Sequence, residues 1–161
     1  MKQIIFLAVI SLVFALTACS TKTVTPNLFV SGESMVVTYS SQGCFHHRSN
    51  ILVFHENNVI IYKTINQWNQ KTDKTKMGTL TLTKKDKEGL NRLFAYYAKK
   101  SHDGWCTNVD NIEIKRYKDE KLISSKKITD ASCALYQKKD ILSFSELIGR
   151  VMKKEIAHEK I

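Results

Sequence analysis

Gly78-Thr-Leu-Thr-Leu-Thr-Lys-Lys-Asp-Lys-Glu-Gly-Leu-Asn-Arg-Leu-Phe-Ala-Tyr-Tyr-Ala98 changes its period partway along. Residues 78–83 alternate, with Leu80 and Leu82 on one side, the pattern of a strand with one buried face. Leu90, Leu93, Phe94, Tyr97 and Ala98 then recur at the spacing of a helix with a single apolar stripe. Thr83 sits at the switch. Its hydroxyl can cap the first turn, and Asp86 completes an acid-containing variant of the capping box. Lys99-Lys100 lie where a helix C-terminus favours cations.

On the N-terminal side, Ser34–Ser40 is β-branched and aromatic, so it reads as a strand that Ser41-Gln42-Gly43 breaks. Ile51–His55 and Val59–Ile65 are two more strands, joined through the turn chemistry of Glu56-Asn57-Asn58 as a hairpin. Trp68–Lys76 is polar and lysine-rich and reads as an exposed loop. On the C-terminal side, Ile112-Glu113-Ile114 and Leu122–Ile128 frame a second hairpin around Lys118-Asp119-Glu120-Lys121. Ser143-Phe144-Ser145-Glu146 is a full capping box, with Leu142 and Leu147 as its hydrophobic staple. Phe144, Leu147, Ile148, Val151 and Met152 form the stripe of the helix that follows, with Lys153-Lys154 in its last turns. The order β-β-β-β-α-β-β-α predicts an α+β fold: a mainly antiparallel sheet with two helices packed on one face.

The residues before this domain have another character. Met1-Lys2 precedes Ile4–Leu16, which is apolar apart from Ser11. That length suits a secretory h-region and is short of the roughly 20 residues that span a bilayer. The run closes on Leu16-Thr17-Ala18-Cys19, which resembles the lipobox of bacterial lipoprotein precursors. The resemblance covers about the first 20 residues. It implies a thioether diacylglycerol on Cys19, cleavage between Ala18 and Cys19, and acylation of the new amine. Ser20 rather than Asp follows the cysteine, so outer-membrane sorting facing the periplasm is the expectation for a Gram-negative cell. The chain thus divides into a leader (1–18), a Thr/Ser/Asn-rich tether holding Pro26 (19–32) and one globular domain (33–161).

The chain carries 25 Lys+Arg against 15 Asp+Glu, a net of +10; removing the leader takes away only Lys2 and leaves +9. Arginines are few: Arg48, Arg92, Arg116 and Arg150. Lysine is a hydrated point charge, so this balance fits contact with an anionic surface better than bidentate recognition. Lipid headgroups, an anionic glycan or an acidic envelope protein are the expected partners. Nucleic acid is not expected in that compartment.

An exported domain can form disulfides. Cys106 and Cys133 stand equally far from Asp119-Glu120, so they are the favoured pair, with Cys44 left over; Cys44 paired with either remains open. Cys44, His46 and His47 include metal-ligand chemistry but lack the second pair of a zinc site, so no metal or other cofactor is expected. Cys44 with His55 or His102 is a weak nucleophile–base idea. Glycine-rich phosphate loops, Gly-x-Ser-x-Gly and His-Glu-x-x-His are absent from the sequence, and the carboxylates give no acid/base pair. Trp68 and Trp105 are the contact candidates.

The expectation is therefore a non-enzymatic, membrane-anchored binding module of the bacterial envelope, of the kind that immunity and inhibitor proteins represent. A structural or assembly lipoprotein of an envelope or secretion complex is the alternative. A small hydrolase or metal-dependent enzyme is a third.

Overall fold

The computed structural model describes residues 32–44, 46–66, 72–98 and 103–158. The leader, Cys19, most of the tether, Trp68, Lys99-Lys100 and His102 lie outside the described residues. The elements are β1 (Glu33–Gly43), β2 (His46–Phe54), β3 (Asn58–Asn66), β4 (Thr72–Thr81), α1 (Lys84–Ala98), β5 (Val109–Lys118), β6 (Lys121–Asp130), a short 3-10 turn (Ala134–Gln137) and α2 (Phe144–His158). All six strands form one antiparallel sheet in the order β4-β3-β2-β1-β5-β6. The fold is α+β. The first four strands meander outward to β4, then α1 returns the chain so that β5 pairs with β1. The first strand thereby becomes central, and β4 and β6 become the edges.

The registers align one set of side chains. Val37 opposes Leu52 and Ile114, Leu52 opposes Ile61, Tyr39 opposes Ile112, and Val59 opposes Leu80. These strand residues share one buried cluster with Leu90, Leu93 and Tyr97 of α1 and Phe144, Leu147, Ile148 and Val151 of α2. Phe144 is the hub. Its ring meets those of Tyr39 (5.8 Å), Phe94 (5.9 Å), Tyr97 (6.2 Å, stacked) and Phe54 (6.4 Å). Aromatic pairs at these separations add to the area they bury.

Three expectations change. Ser41-Gln42-Gly43 does not break the first strand: β1 runs through Gly43, and these residues pair with Arg48, His47 and His46 of β2. Part of the expected loop Trp68–Lys76 is strand: β4 begins at Thr72 and pairs with β3 from Asn66 onward. Its polar composition is that of an edge strand, where lysines such as the exposed Lys74 and Lys76 deter pairing with other chains. A bulge inserts Met77 into this strand and packs it against the core. Gly78 follows because a Cβ there would stand 2.8 Å from Val151 Cγ1 of α2. β2 starts at His46 rather than Ile51. Its polar extension includes buried Asn50, whose amide donates to the Tyr62 carbonyl at 3.3 Å.

The first capping box forms in full, and the second shows its serine half. The Asp86 N–H donates to Thr83 Oγ1 (3.2 Å) and the Thr83 N–H donates to Asp86 Oδ2 (2.9 Å). The Glu146 N–H donates to Ser143 Oγ (3.2 Å). The first cap also joins the two helices, because Arg150 of α2 donates to both Asp86 oxygens, at 2.7 and 3.2 Å. Hydrogen bonds from Arg150 outweigh the opposing effect of burial and, with those from Thr83, lower the Asp86 carboxyl from 3.8 to about 2. A carboxyl whose pKa falls on folding stabilises the fold fully above its unfolded pKa, and that stability is lost as pH falls through the folded value. About 2 kcal/mol should therefore disappear between about pH 4 and pH 2. Asp86→Asn should cost about that much at pH 7 and flatten this acid limb, as urea titrations across the pH series would show.

Candidate functional site

Asp130, the last residue of β6, is buried, and its carboxylate organises the turn beyond it. Oδ1 accepts the Ser132 N–H (2.9 Å) and the Ser132 hydroxyl (2.6 Å), an Asx turn. Oδ2 accepts the Tyr96 hydroxyl of α1 at 3.0 Å. Ser132 Oγ lies 2.8 Å from the Tyr96 hydroxyl and accepts the Ala134 N–H at 3.2 Å. Burial pushes the Tyr96 phenol above its usual value against the Ser132 hydrogen bond, and Asp130 adds to the rise. The phenol thus stays a donor at neutral pH. Cys133 follows in the left-handed region, φ 54°, and the 3-10 turn starts there.

This turn is the wall on which a second segment leans. Cys106 is bonded to Cys133, and the Cys106 N–H donates to the Ala131 carbonyl at 3.0 Å. Gly104 lies against the same carbonyl: a Cβ at this position would be 2.4 Å from Ala131 O and 2.7 Å from Ser132 Cα. No other residue fits without displacing backbone. Trp105 stands between these two fixed neighbours, and its side chain is fully exposed. Exposed single apolar residues are common on protein surfaces. A tryptophan with its backbone clamped on both sides differs, because the backbone share of the ordering entropy is spent before any partner arrives.

Beside the turn lies a cavity of about 230 Å³. Tyr39, Tyr97 and Phe144 supply its aromatic surface, and Asp110, Lys138 and Glu146 its charged groups. Asp110 follows Cys106 on β5, and Leu135, also in the wall, follows Cys133. The disulfide therefore ties together two of the segments that line the cavity. The lining includes no histidine or cysteine, and the volume is below the roughly 300 Å³ at which small-molecule pockets begin.

Of the other singled-out residues, Cys44, His46 and His47 lie at the same end of the sheet. The turn holding Cys44 joins β1 to β2, and Gln42 pairs with both His47 and Val109. Cys44 is exposed and carries a free thiol, and His47 is exposed. His55 sits at the opposite end, in the β2–β3 turn. Among the described residues no three His, Cys, Asp or Glu side chains converge as a metal site, and no helix is long and apolar enough to cross a membrane. Gly104, Tyr96 and the Asp130–Ser132 turn escape a reading by motif. Asp130-Ala131-Ser132 directly before a cysteine is the local signal that could have revealed them. No protein-family profile and no curated protein sequence matches the chain.

The disulfide closes a loop of sequence separation 27. Replacing Cys106 and Cys133 together by Ser should lower stability by about 3–4 kcal/mol through the freed unfolded chain. The measurement is denaturant unfolding of oxidised wild type, reduced wild type and the double variant, with the last two expected to coincide.

Proposed function

We propose that the chain is the precursor of a bacterial envelope lipoprotein whose globular domain is a non-enzymatic binding module, of immunity or inhibitor type. Cys19 carries the lipid after cleavage behind Ala18, and Ser20–Gly32 is the tether. Both helices cover one face of the sheet and leave the other face open, so the domain stands as a slab with its contact residue at one end. Trp105, fully exposed between Gly104 and a bridged Cys106, is the observation that carries this reading. Tryptophan is enriched among residues that dominate binding energy, and one on a held backbone loses less entropy on association. A disulfide at this position fits an oxidising, extracytoplasmic compartment.

The charge narrows the partner. A mature chain of net +9 is repelled by basic hydrolases and attracted to an acidic effector or an anionic glycan. In affinity capture from envelope extract, the wild-type protein should retain a discrete component. Trp105→Ala should lose it with an affinity drop of roughly thirtyfold or more, the size of a hot-spot truncation, and Trp105→Phe should keep part of it. Equal retention by Trp105→Ala would remove Trp105 from the site. Retention of a secretion-machinery component would instead support the assembly role.

A further inference from the structure

The two ends of the sheet differ. The Trp105 end gathers the start of β5, the end of β6 and the β1–β2 turn. The other end holds Glu33 of β1 against Lys118 of β5, and Lys118 against Lys121 of β6. A strand of ten residues separates them, about 30 Å. The tether is covalently joined to the chain at Glu33. It therefore leaves the domain at the end opposite Trp105, two strands and about 10 Å from the start of β6.

Leu122 and Ile123 lie there, among the few large hydrophobics exposed over the described residues, at 54% and 50%. Ile123 is the extra residue of a bulge, since Arg116 pairs with Ser124 and Tyr117 with Leu122. It is also on an edge strand, without a neighbour on its outer side. Lys118 and Lys121 flank the pair and are exposed; further along the strand, Lys127 faces Glu113 at 3.8 Å and Lys126 is turned back onto the Tyr97 carbonyl at 2.7 Å. Two of the nearby acids are paired. Glu33 is paired with Arg116, and Glu113 with Lys115 and Lys127. Asp119 and Glu120 occupy the hairpin turn with φ of 49° and 63°. Those two carboxylates keep the tip itself out of hydrocarbon and favour contact along the strand edge at headgroup depth.

We propose that the first half of β6, centred on Leu122 and Ile123, is a second membrane-contact site that seats the domain on an anionic bilayer. The inference rests on Cys19 being the lipid attachment point. Thirteen residues, Ser20–Gly32, span at most about 45 Å even when fully extended, so the lipid and this patch meet the same surface. Two apolar side chains flanked by lysines are then placed to enter the interface, with the lysines meeting lipid phosphates. Lysines on an exposed edge also oppose strand pairing with a second copy. Seated this way, the domain turns its Trp105 end away from the contact, up to about 30 Å from it along the strands.

The test uses the processed full chain extracted from bacterial membranes and reconstituted into phosphatidylethanolamine/phosphatidylglycerol vesicles containing brominated lipid. One chain carries Ile123→Trp with Trp68→Phe and Trp105→Phe; another carries only Trp68→Phe, leaving Trp105. Bromolipid should cut the emission of the position-123 reporter at least about twofold and leave Trp105 nearly unchanged, since only shallow interfacial burial is required. Adding Leu122→Glu to the reporter chain should restore its emission. Intact mass reads the anchor separately. A lipid mass shift without quenching at position 123 overturns the contact site and leaves the anchor standing. An unshifted mass with quenching on added vesicles supports the contact site and removes the anchor. Equal quenching at 105 and 123, or concentration-dependent dimers in place of quenching, overturns the proposal.

Discussion

The Cys106–Cys133 bridge is the constraint on which the functional end of this molecule depends. Two segments leave the sheet at that end, one entering β5 and one leaving β6, and neither has a ladder of its own to hold it. The bridge joins them, the Ala131 carbonyl takes the Cys106 N–H, and Gly104 allows the backbones to touch. Beneath them the buried Asp130 carboxylate fixes its own turn and is in turn held by Tyr96 of α1. A buried carboxylate left without such partners would be costly, so each of these contacts reinforces the others. The outcome is a fully exposed indole on a backbone with little freedom.

The sheet supplies the other half of the design. Because β5 pairs with β1 rather than β4, the first strand is central, and the chain enters the sheet at the end remote from Trp105. The start of β1, the β5–β6 turn and exposed Leu122-Ile123 share one end; disulfide, Trp105 and the small cavity share the other. The helices are locked to each other across this body by Asp86 and Arg150, and Phe144 fills the centre. In the proposed reading, a domain attached at one end and bearing its contact residue at the other can meet a partner in the space above the membrane.

Much of the architecture was legible in the sequence because it is written in local signals. The period change across Leu80–Ala98 and the capping boxes at Thr83 and Ser143 mark both helices, and the hairpin turns mark four of the strands. Only the first half of β4 was obscured, because an edge strand guarded by lysines has the composition of a loop, and its bulge at Met77 disrupts the alternation. The Cys106–Cys133 pairing was legible from its symmetry about one hairpin turn. The exposure of Trp105 was not, since it depends on a backbone approach between Gly104 and Ala131, residues distant in sequence. The Arg150–Asp86 pair was hidden for the same reason: each residue looks like ordinary helix surface until α1 and α2 are brought together.

The central claim is that the bridge presents Trp105 as a rigid contact. Time-resolved fluorescence anisotropy of Trp105, in a Trp68→Phe background, tests it most directly. With the disulfide closed, the indole should tumble with the domain, and reduction should add a fast local motion. Fast local motion already dominant in the oxidised protein and unchanged by reduction would contradict the account.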